Sequence, residues 1–252
     1  MDIPFYMLLS KNDALVRNAE VITNNIANTE TKGYKQRDLY FRSLATNNGD
    51  KRLKGTNSYP YDAYIKYDDT NGAVNYTMGK MDFMFDKPNH YFGVRTKQGI
   101  RYSRNGEFHL TREGVLVDNA GNEVVSREGA PIVIESENFE IDDQGAVYAE
   151  GLPVGIIGLF EDNGKAIKKV QGDGLYSFNI LTDEGIIDEG TLLPINNDAR
   201  ISHGALEGSN VSPIDQMTNL VRINKSIEQI SALYSDIANK LNKDIVNKLI
   251  GD

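Results

Sequence analysis

Glycine is absent from residues 1–32 and from residues 209–250, yet 19 of the chain's 23 glycines fall between Gly72 and Gly208. Glycine weakens a helix interior by about 1 kcal/mol relative to alanine and is favoured in turns. The distribution therefore predicts helix, turn-rich β body, helix. The fold class expected is α+β, with N- and C-terminal helices forming a coiled coil and a mainly antiparallel β domain between them.

Both ends carry helical periodicity. Leu8, Leu15 and Ile22 stand seven apart, and Asn12, Ala19 and Ile26 follow each by four. Leu15, Ala19, Ile22 and Ile26 make one narrow apolar stripe, with Arg17, Asn18, Glu20, Asn24 and Asn25 mostly off it. Asn28, Thr29 and Gly33 supply a helix stop. Toward the other end Leu220, Ile223, Ile227, Ile230, Tyr234, Ile237 and Leu241 alternate spacings of three and four without a break, the seam of a coiled coil. Ser212 is placed to cap this helix, with Pro213 at its first position and Asp215 in its first turn. A stripe this narrow makes an isolated helix marginal in water, so each end needs a partner. The simplest partner is the other terminal helix, of the same chain or of a neighbour.

Between the ends, Gly99, Gly106, Gly114, Gly121 and Gly129 recur at intervals of 7, 8, 7 and 8. Strand-like stretches fill the gaps: Ile100–Ser103, Glu107–Thr111, Val115–Asp118 and Glu123–Ser126. A later set follows at Pro131–Glu135, Phe139–Asp142, Ala146–Ala149, Gly155–Phe160 and Leu175–Ile180. Short strands between Gly/Asn/Asp turns predict an antiparallel sandwich or barrel rather than βαβ units. The domain reading is residues 1–38 for the N-terminal coil helix and Asn-rich signature, 39–78 for an extended connector, 79–208 for the β domain and 209–252 for the C-terminal coil helix. The connector has a tyrosine cluster (Tyr59, Tyr61, Tyr64, Tyr67) that reads either as an exposed aromatic contact surface or as a strand pair.

Composition excludes several functions. With 27 Lys+Arg against 36 Asp+Glu the net charge is −9. A protein that neutralises phosphates needs a cationic surface, so neither nucleic acid nor an anionic membrane surface is an expected partner. The longest uncharged apolar run, Leu152–Phe160, is nine residues and holds Pro153, far short of the roughly 20 a membrane helix needs. There is no cysteine and there are three histidines (His90, His109, His203), so no thiolate metal site or Cys nucleophile exists. Ile3–Leu9 is short, carries Pro4 and runs into Ser10-Lys11-Asn12-Asp13, which is no cleavable secretion signal. Asp68-Asp69 and Asp142-Asp143 are adjacent acids that a strand would point apart, and Asp142-Asp143-Gln144-Gly145 lacks the ligand spacing of a calcium loop, so it reads as a turn. Gly172-Asp173-Gly174 lacks the Lys-Ser/Thr and following helix of a phosphate loop and reads as a hairpin turn. No catalytic residue, metal, cofactor or small-molecule substrate is expected.

Four motifs carry a resemblance to a known family. Asn24-Asn25-Ile26-Ala27-Asn28-Thr29-Glu30-Thr31-Lys32-Gly33-Tyr34-Lys35 closely resembles the N-terminal signature of the bacterial flagellar axial proteins, the rod and hook subunits. Gly204-Ala205-Leu206-Glu207-Gly208-Ser209-Asn210-Val211 resembles the segment leading into that family's C-terminal coil. Tyr102-Ser103-Arg104-Asn105-Gly106-Glu107-Phe108, with Gly114-Val115-Leu116-Val117 and Gly121 after it, resembles a motif of its β domain, and Gly172-Asp173-Gly174-Leu175-Tyr176 is a fourth. The opening, Tyr6–Ser10 and Ala14-Leu15-Val16-Arg17, is most similar to the proximal rod subunit that adjoins the distal rod. The sequence departs from the family where a glycine often precedes the aromatic pair entering the β domain; here Asn89 precedes His90-Tyr91-Phe92.

The resemblance implies a structural subunit of the flagellar basal-body rod. Such a subunit is exported without a cleaved signal through the flagellar export apparatus. It assembles in the periplasm, with copies of itself and other rod subunits, into a hollow torque-transmitting shaft. The residues expected to act in this are Asn24, Asn25, Ile26, Ala27, Asn28, Thr29, Thr31, Gly33 and Tyr34 as an assembly motif. The seam comprises Leu8, Leu15, Ala19, Ile22 and Ile26 with Leu220 to Leu241 as given above. Gly204, Leu206, Glu207, Ser209, Asn210 and Val211 form the pre-coil segment. A buried Asn can set helix register, which is the role expected of the Asn cluster. The alternatives are a distal-rod or hook-type subunit, a secreted β-rich adhesin or binding module, and a wall-acting enzyme.

Overall fold

A computed structural model describes residues 3–46, 57–136, 138–162, 166–170, 174–181, 187–188, 193–196 and 198–250. The chain divides into two compact units, one built from Met1–Thr29, Gln36–Asp68 and Val211–Asp252, the other from Glu30–Lys35 and Asp69–Asn210.

The first unit contains helix α1 (Ile3–Ala27), strands β1 (Arg37–Thr46) and β2 (Asn57–Tyr67), and helix α2 (Pro213–Ile250). At 1.5 Å per residue, the 25 residues of α1 span about 38 Å and the 38 of α2 about 57 Å. The helices pack side by side. Asn25 at the end of α1 meets Gln216 at the start of α2, and Ile227 faces Val16, Ala19 and Thr23, so they run antiparallel. α2 begins at Pro213 as its capping signals predict, and Gln216 N–H donates to the Ser212 carbonyl. α1 also packs on β1 and β2. Serving two neighbours widens its buried face beyond the predicted stripe: Ala14 and Asn25 are buried along with Ile22.

The segment read as a connector carries an antiparallel hairpin, β1 against β2, with an irregularity between Tyr40 and Phe41. Tyr40 lies opposite Tyr64, and their exposed rings stack at 5.2 Å with 4° between planes. The tyrosine cluster is thus part of a strand pair, with Tyr64 exposed and Tyr67 half-buried. The side chains of Tyr59 and Tyr61 lie outside the described residues.

The second unit is mainly an antiparallel sheet. Its first strands are β3 (Val74–Tyr76), β4 (Asp82–Phe85), β5 (His90–Thr96), β6 (Gly99–Ser103), β7 (Gly106–Leu110), β8 (Leu116–Asp118) and β9 (Glu123–Val124). There follow β10 (Phe139–Ile141), β11 (Ala146–Ala149), β12 (Leu152–Ile156), β13 (Leu159–Glu161), β14 (Ala166–Val170), β15 (Tyr176–Leu181), β16 (Ile187–Asp188), β17 (Ile201–His203) and β18 (Ala205–Glu207). Among the described residues the large sheet runs β14-β15-β6-β5-β9-β8-β7-β4-β17, with β13 on β5 and β16 on β15. A small sheet, β10-β11-β12, has β12 at its edge, with Pro153 opposite Tyr148 beside an irregular register. β18 pairs with β3. The glycine rhythm marks the turns between β6 and β9 as expected. Two predicted strands differ: Gly155–Phe160 splits into the end of β12 and β13, and Pro131–Glu135 makes only isolated bridges through Pro131 and Val133. Asp142 indeed makes a turn, its carboxylate accepting from Gln144 and Ala146 N–H. Gly172 and Asp173 lie outside the described residues.

β5 is buried from His90 to Val94 without alternation, because both faces of the sheet are covered there. On one face Phe92 packs against Phe85 and Phe108, ring centroids 4.3 and 5.1 Å away, among Phe83, Leu116, Ile134 and Leu159. On the other, Tyr91 and Tyr102 both meet Phe178 edge-on, and Tyr102 also meets Phe160. Asn89, where the family often has glycine before this strand, sits at φ 61°, a left-handed conformation that asparagine tolerates better than most residues. Truncating Phe92 to alanine should cost the second unit about 3–5 kcal/mol, read as the fall in its urea midpoint at unchanged slope.

Candidate functional site

The sequence-predicted site residues fall into two groups, one in each unit.

In the first unit the Asn cluster divides its work at the end of α1. Asn25 is 1% exposed. Its Oδ1 accepts from Arg37 N–H at 3.1 Å, its Nδ2 donates to the Arg37 carbonyl at 2.9 Å, and Nδ2 also reaches Gln216 Oε1 at 3.4 Å. One amide thus stands in for a strand neighbour to Arg37, giving the backbone the same pair of bonds a ladder would. Asn28 and Thr29 instead close the helix. Asn28 Nδ2 donates to the Asn24 carbonyl at 2.8 Å and Thr29 Oγ1 to the Ile26 carbonyl at 3.0 Å, which satisfies acceptors orphaned at a helix end. Asn24, Ala27 and Thr31 are exposed.

Along the helices Ile22, Ile223 and Ile230 are buried, while Leu8, Leu15, Ala19, Ile26, Leu220, Ile227, Tyr234 and Ile237 are half-buried. The side chain of Leu241 lies outside the described residues. Gln216, four residues before Leu220, sits on the seam's own rhythm and is buried. It was not among the predicted residues, nor was Arg37. Val211 is buried in this unit.

In the second unit Gly33, Tyr34 and the pre-coil segment are brought together with Lys35, Arg104 and Gly72. Glu207, fully buried on β18, is the centre. Its Oε1 accepts from Lys35 Nζ at 2.7 Å and from Gly72 N–H at 3.0 Å; its Oε2 accepts from Arg104 Nε at 2.8 Å and Nη2 at 2.5 Å. The remaining guanidinium donors go to the Lys87 and His90 carbonyls and to Asn71 Oδ1. Lys35 Nζ also donates to the Thr70 carbonyl at 2.6 Å. Burial, and then the like charge of Arg104, hold the Lys35 ammonium below the usual lysine range. The Glu207 carbonyl accepts from Gly33 N–H at 2.8 Å. Gly33 has φ 69°, and a Cβ there would lie 2.6 Å from the backbone of Arg104 and Asn105, so conformation and space both require glycine. Leu206 is buried, Asn210 donates to the Thr70 and Tyr34 carbonyls, and the Gly204 carbonyl accepts from Thr77 and Met78 N–H. Ser209 is half-buried.

Nearer the surface Lys32 pairs with Glu107 at 2.6 Å, which with a bond from Asn119 holds the Glu107 carboxyl below the usual carboxylate range against the opposing effect of burial. Among the described residues no three His, Cys, Asp or Glu side chains are grouped to hold a metal, and no helix is long and apolar enough to cross a membrane. What the arrangement offers is a set of ties between distant stretches of chain.

Comparison with known proteins assigns these stretches. Residues 87–149, which include Arg104, match the family model for the flagellar hook protein FlgE/F/G D1 domain. Residues 202–241, which include Glu207 and the α2 seam, match that for the flagellar basal body rod FlgEFG protein C-terminal region. The flagellar basal-body rod protein FlgF of Caulobacter vibrioides is 30% identical over 99% of this chain and 98% of its own. That of Rhizobium meliloti is 28% identical over 97% of each. The flagellar basal-body rod protein FlgG of Bacillus subtilis is 25% identical over 90% of this chain and 92% of its own.

Two outcomes test the geometry. Asn25→Ala removes both bonds to Arg37 and orphans two backbone groups, and should cost the first unit roughly 2–4 kcal/mol, read from helical ellipticity against urea. The Glu107 carboxyl, lowered on folding, contributes stability that is present above its unfolded pKa and lost as pH falls through its folded value. In Lys32→Ala its titration, followed by side-chain carboxyl NMR, should move up toward the ordinary range, and that acid-side contribution should shrink.

Proposed function

We propose, from the premise that this chain belongs to the family of flagellar basal-body rod proteins, that it is a proximal-rod structural subunit which joins copies of itself and neighbouring rod subunits through its terminal helices. The observation that carries this reading is end-to-end similarity to FlgF relatives, with both helices and the β body inside the aligned length. The basal body is its location. Export through the flagellar export apparatus without a cleaved signal, assembly in the periplasm and coiled-coil packing in the finished shaft are parts of the same proposal.

Physical support comes from α2. Beside the buried seam it presents Ile214, Met217 and Val221, each more than half exposed and spaced by three and four. A helix serving only its own chain needs one apolar stripe; this second one is a surface for a neighbouring helix. The open groove lined by Val16, Ala19, Thr23, Ala27 and Ile227 is a second such surface in the same unit. The role is structural, not enzymatic, in keeping with the rod-protein names of the relatives. Similarity to FlgG supports a second reading, a distal-rod subunit.

Mass spectrometry of detergent-purified basal bodies should find this chain in several copies, and its absence from intact rods would defeat the proposal. Ile230→Asp puts a charge on the seam where Ile230 is 8% exposed. The variant should be missing from rods and non-motile, while the near-ultraviolet signal of the β body is retained. Motility at the wild-type level would remove the seam from the assembly mechanism.

A further inference from the structure

Besides its buried seam, α2 carries a second row at spacings of three and four: Ile214, Met217 and Val221, then Lys225 and Glu228. All five are exposed, Ile214 at 76%, Met217 at 53% and Val221 at 56%. At 100° per residue, the row lies roughly 150° round the helix from the seam that holds buried Ile223 and Ile230. It therefore faces away from α1 of its own chain. Three large apolar side chains left in water, on a helix whose other face is already packed, call for a second partner.

The same unit holds a place for such a row. An open groove follows α1 along Val16, Ala19, Glu20, Thr23 and Ala27, with Ile227 of α2 as its other wall. The small side chains of Ala19 and Ala27 leave room in it for bulky ones. Consider the row of another copy laid antiparallel to α1 with Lys225 opposite Glu20. Glu228 then meets Arg17, Val221 falls over Thr23 and Asn24, and Met217 over Ala27. Both charge pairs are opposite in sign, and among the described residues Glu20 and Lys225 have no oppositely charged partner in their own chain. The reverse direction gives Glu228 no cation and sets Met217 against Asn12 and Asp13. Antiparallel to α1 is also the direction of the chain's own α2, whose Ile227 stands at the level of Val16 and Ala19. Visiting and resident α2 thus flank α1 with the same polarity and at the same height, so the two copies keep one orientation. Groove and row are different surfaces, so the contact is heterologous and repeats from copy to copy instead of closing on a pair.

We infer that the α1 groove receives the Ile214–Met217–Val221 row of a second copy of this chain, with Lys225 and Glu228 of that copy meeting Glu20 and Arg17. Apolar contact supplies the attraction, and the exposed charge pairs, worth little in themselves, set direction and register. The contact rests on the reading of the chain as a rod subunit and adds which helix faces meet.

The chain has no cysteine, so introduced thiols report this contact alone. Purified full-length Lys225→Cys is mixed with full-length Glu20→Cys under mild oxidation. The two should form a mixed disulfide about tenfold or more faster than Arg222→Cys with Glu20→Cys, because Arg222 is exposed but lies about 100° round the helix from Val221. Met217→Asp added to the first partner, or Ala27→Gln added to the second, should each return the rate to that of the control pair. Both positions are exposed, so helical ellipticity should stay at the wild-type value. Equal rates in the two mixtures would overturn the inference. So would a link indifferent to Met217→Asp and Ala27→Gln alike, or Lys225→Cys linking to itself as fast as to Glu20→Cys. No link from a chain that is abundant in purified rods removes this contact and spares the rod reading; a link from a chain absent from rods does the reverse.

Discussion

The Glu207 carboxylate is withdrawn from water and must find every one of its partners inside the protein. Moving an ionised carboxylate into an apolar interior costs several kcal/mol even after relaxation, and only a complete set of charged and backbone donors offsets it. Lys35, Gly72 and Arg104 are that set. The requirement reaches across the chain, since the donors come from positions 35, 72 and 104 and the acceptor from 207. The pairing of β18 with β3 brings Gly72 N–H to the Glu207 carboxylate, and the turn at Ser103–Asn105 holds Arg104 against it. Apolar burial around Phe92 provides the driving force for the second unit, and this cluster ties its distant stretches to one another.

The residues that carry the family resemblance are largely internal. Asn25, Gly33, Tyr34, Arg104 and Glu207 are all buried, and each ties one stretch of backbone to another. The motif is read most directly as a description of how the chain leaves α1 and how it approaches α2. Nearby, Asn24, Ala27 and Thr31 are exposed.

Much of the fold was legible in the sequence because its signals are local. Glycine placement separated helix from sheet, the three-four rhythm of α2 gave its packed face, and turns at seven- and eight-residue spacing gave β6 to β9. What was not legible depends on partners far away in sequence. Nothing between residues 37 and 67 announces that one half pairs with the other. Asn25 looked to be off the apolar stripe because its neighbour is the backbone of Arg37, which has no side-chain signature. Nothing local marks Lys35 and Arg104 as buried, since the carboxylate they meet is more than a hundred residues on. Gln216 was the one missed residue with a local sign: it falls on the seam's spacing and is polar where the seam is otherwise apolar.

Strand β12 has one further consequence. It lies at the edge of its small sheet and leaves Leu152, Val154 and Ile156 exposed, a combination that invites another strand, although the Ile156 carbonyl is already taken by Arg127 N–H. Pro153, its second residue, has no amide hydrogen to give and lies next to an irregular stretch of the ladder. In a protein whose relatives are parts of a filamentous organelle, growth along the wrong surface would be as damaging as no growth at all. The proline makes that edge a poorer template for a further strand.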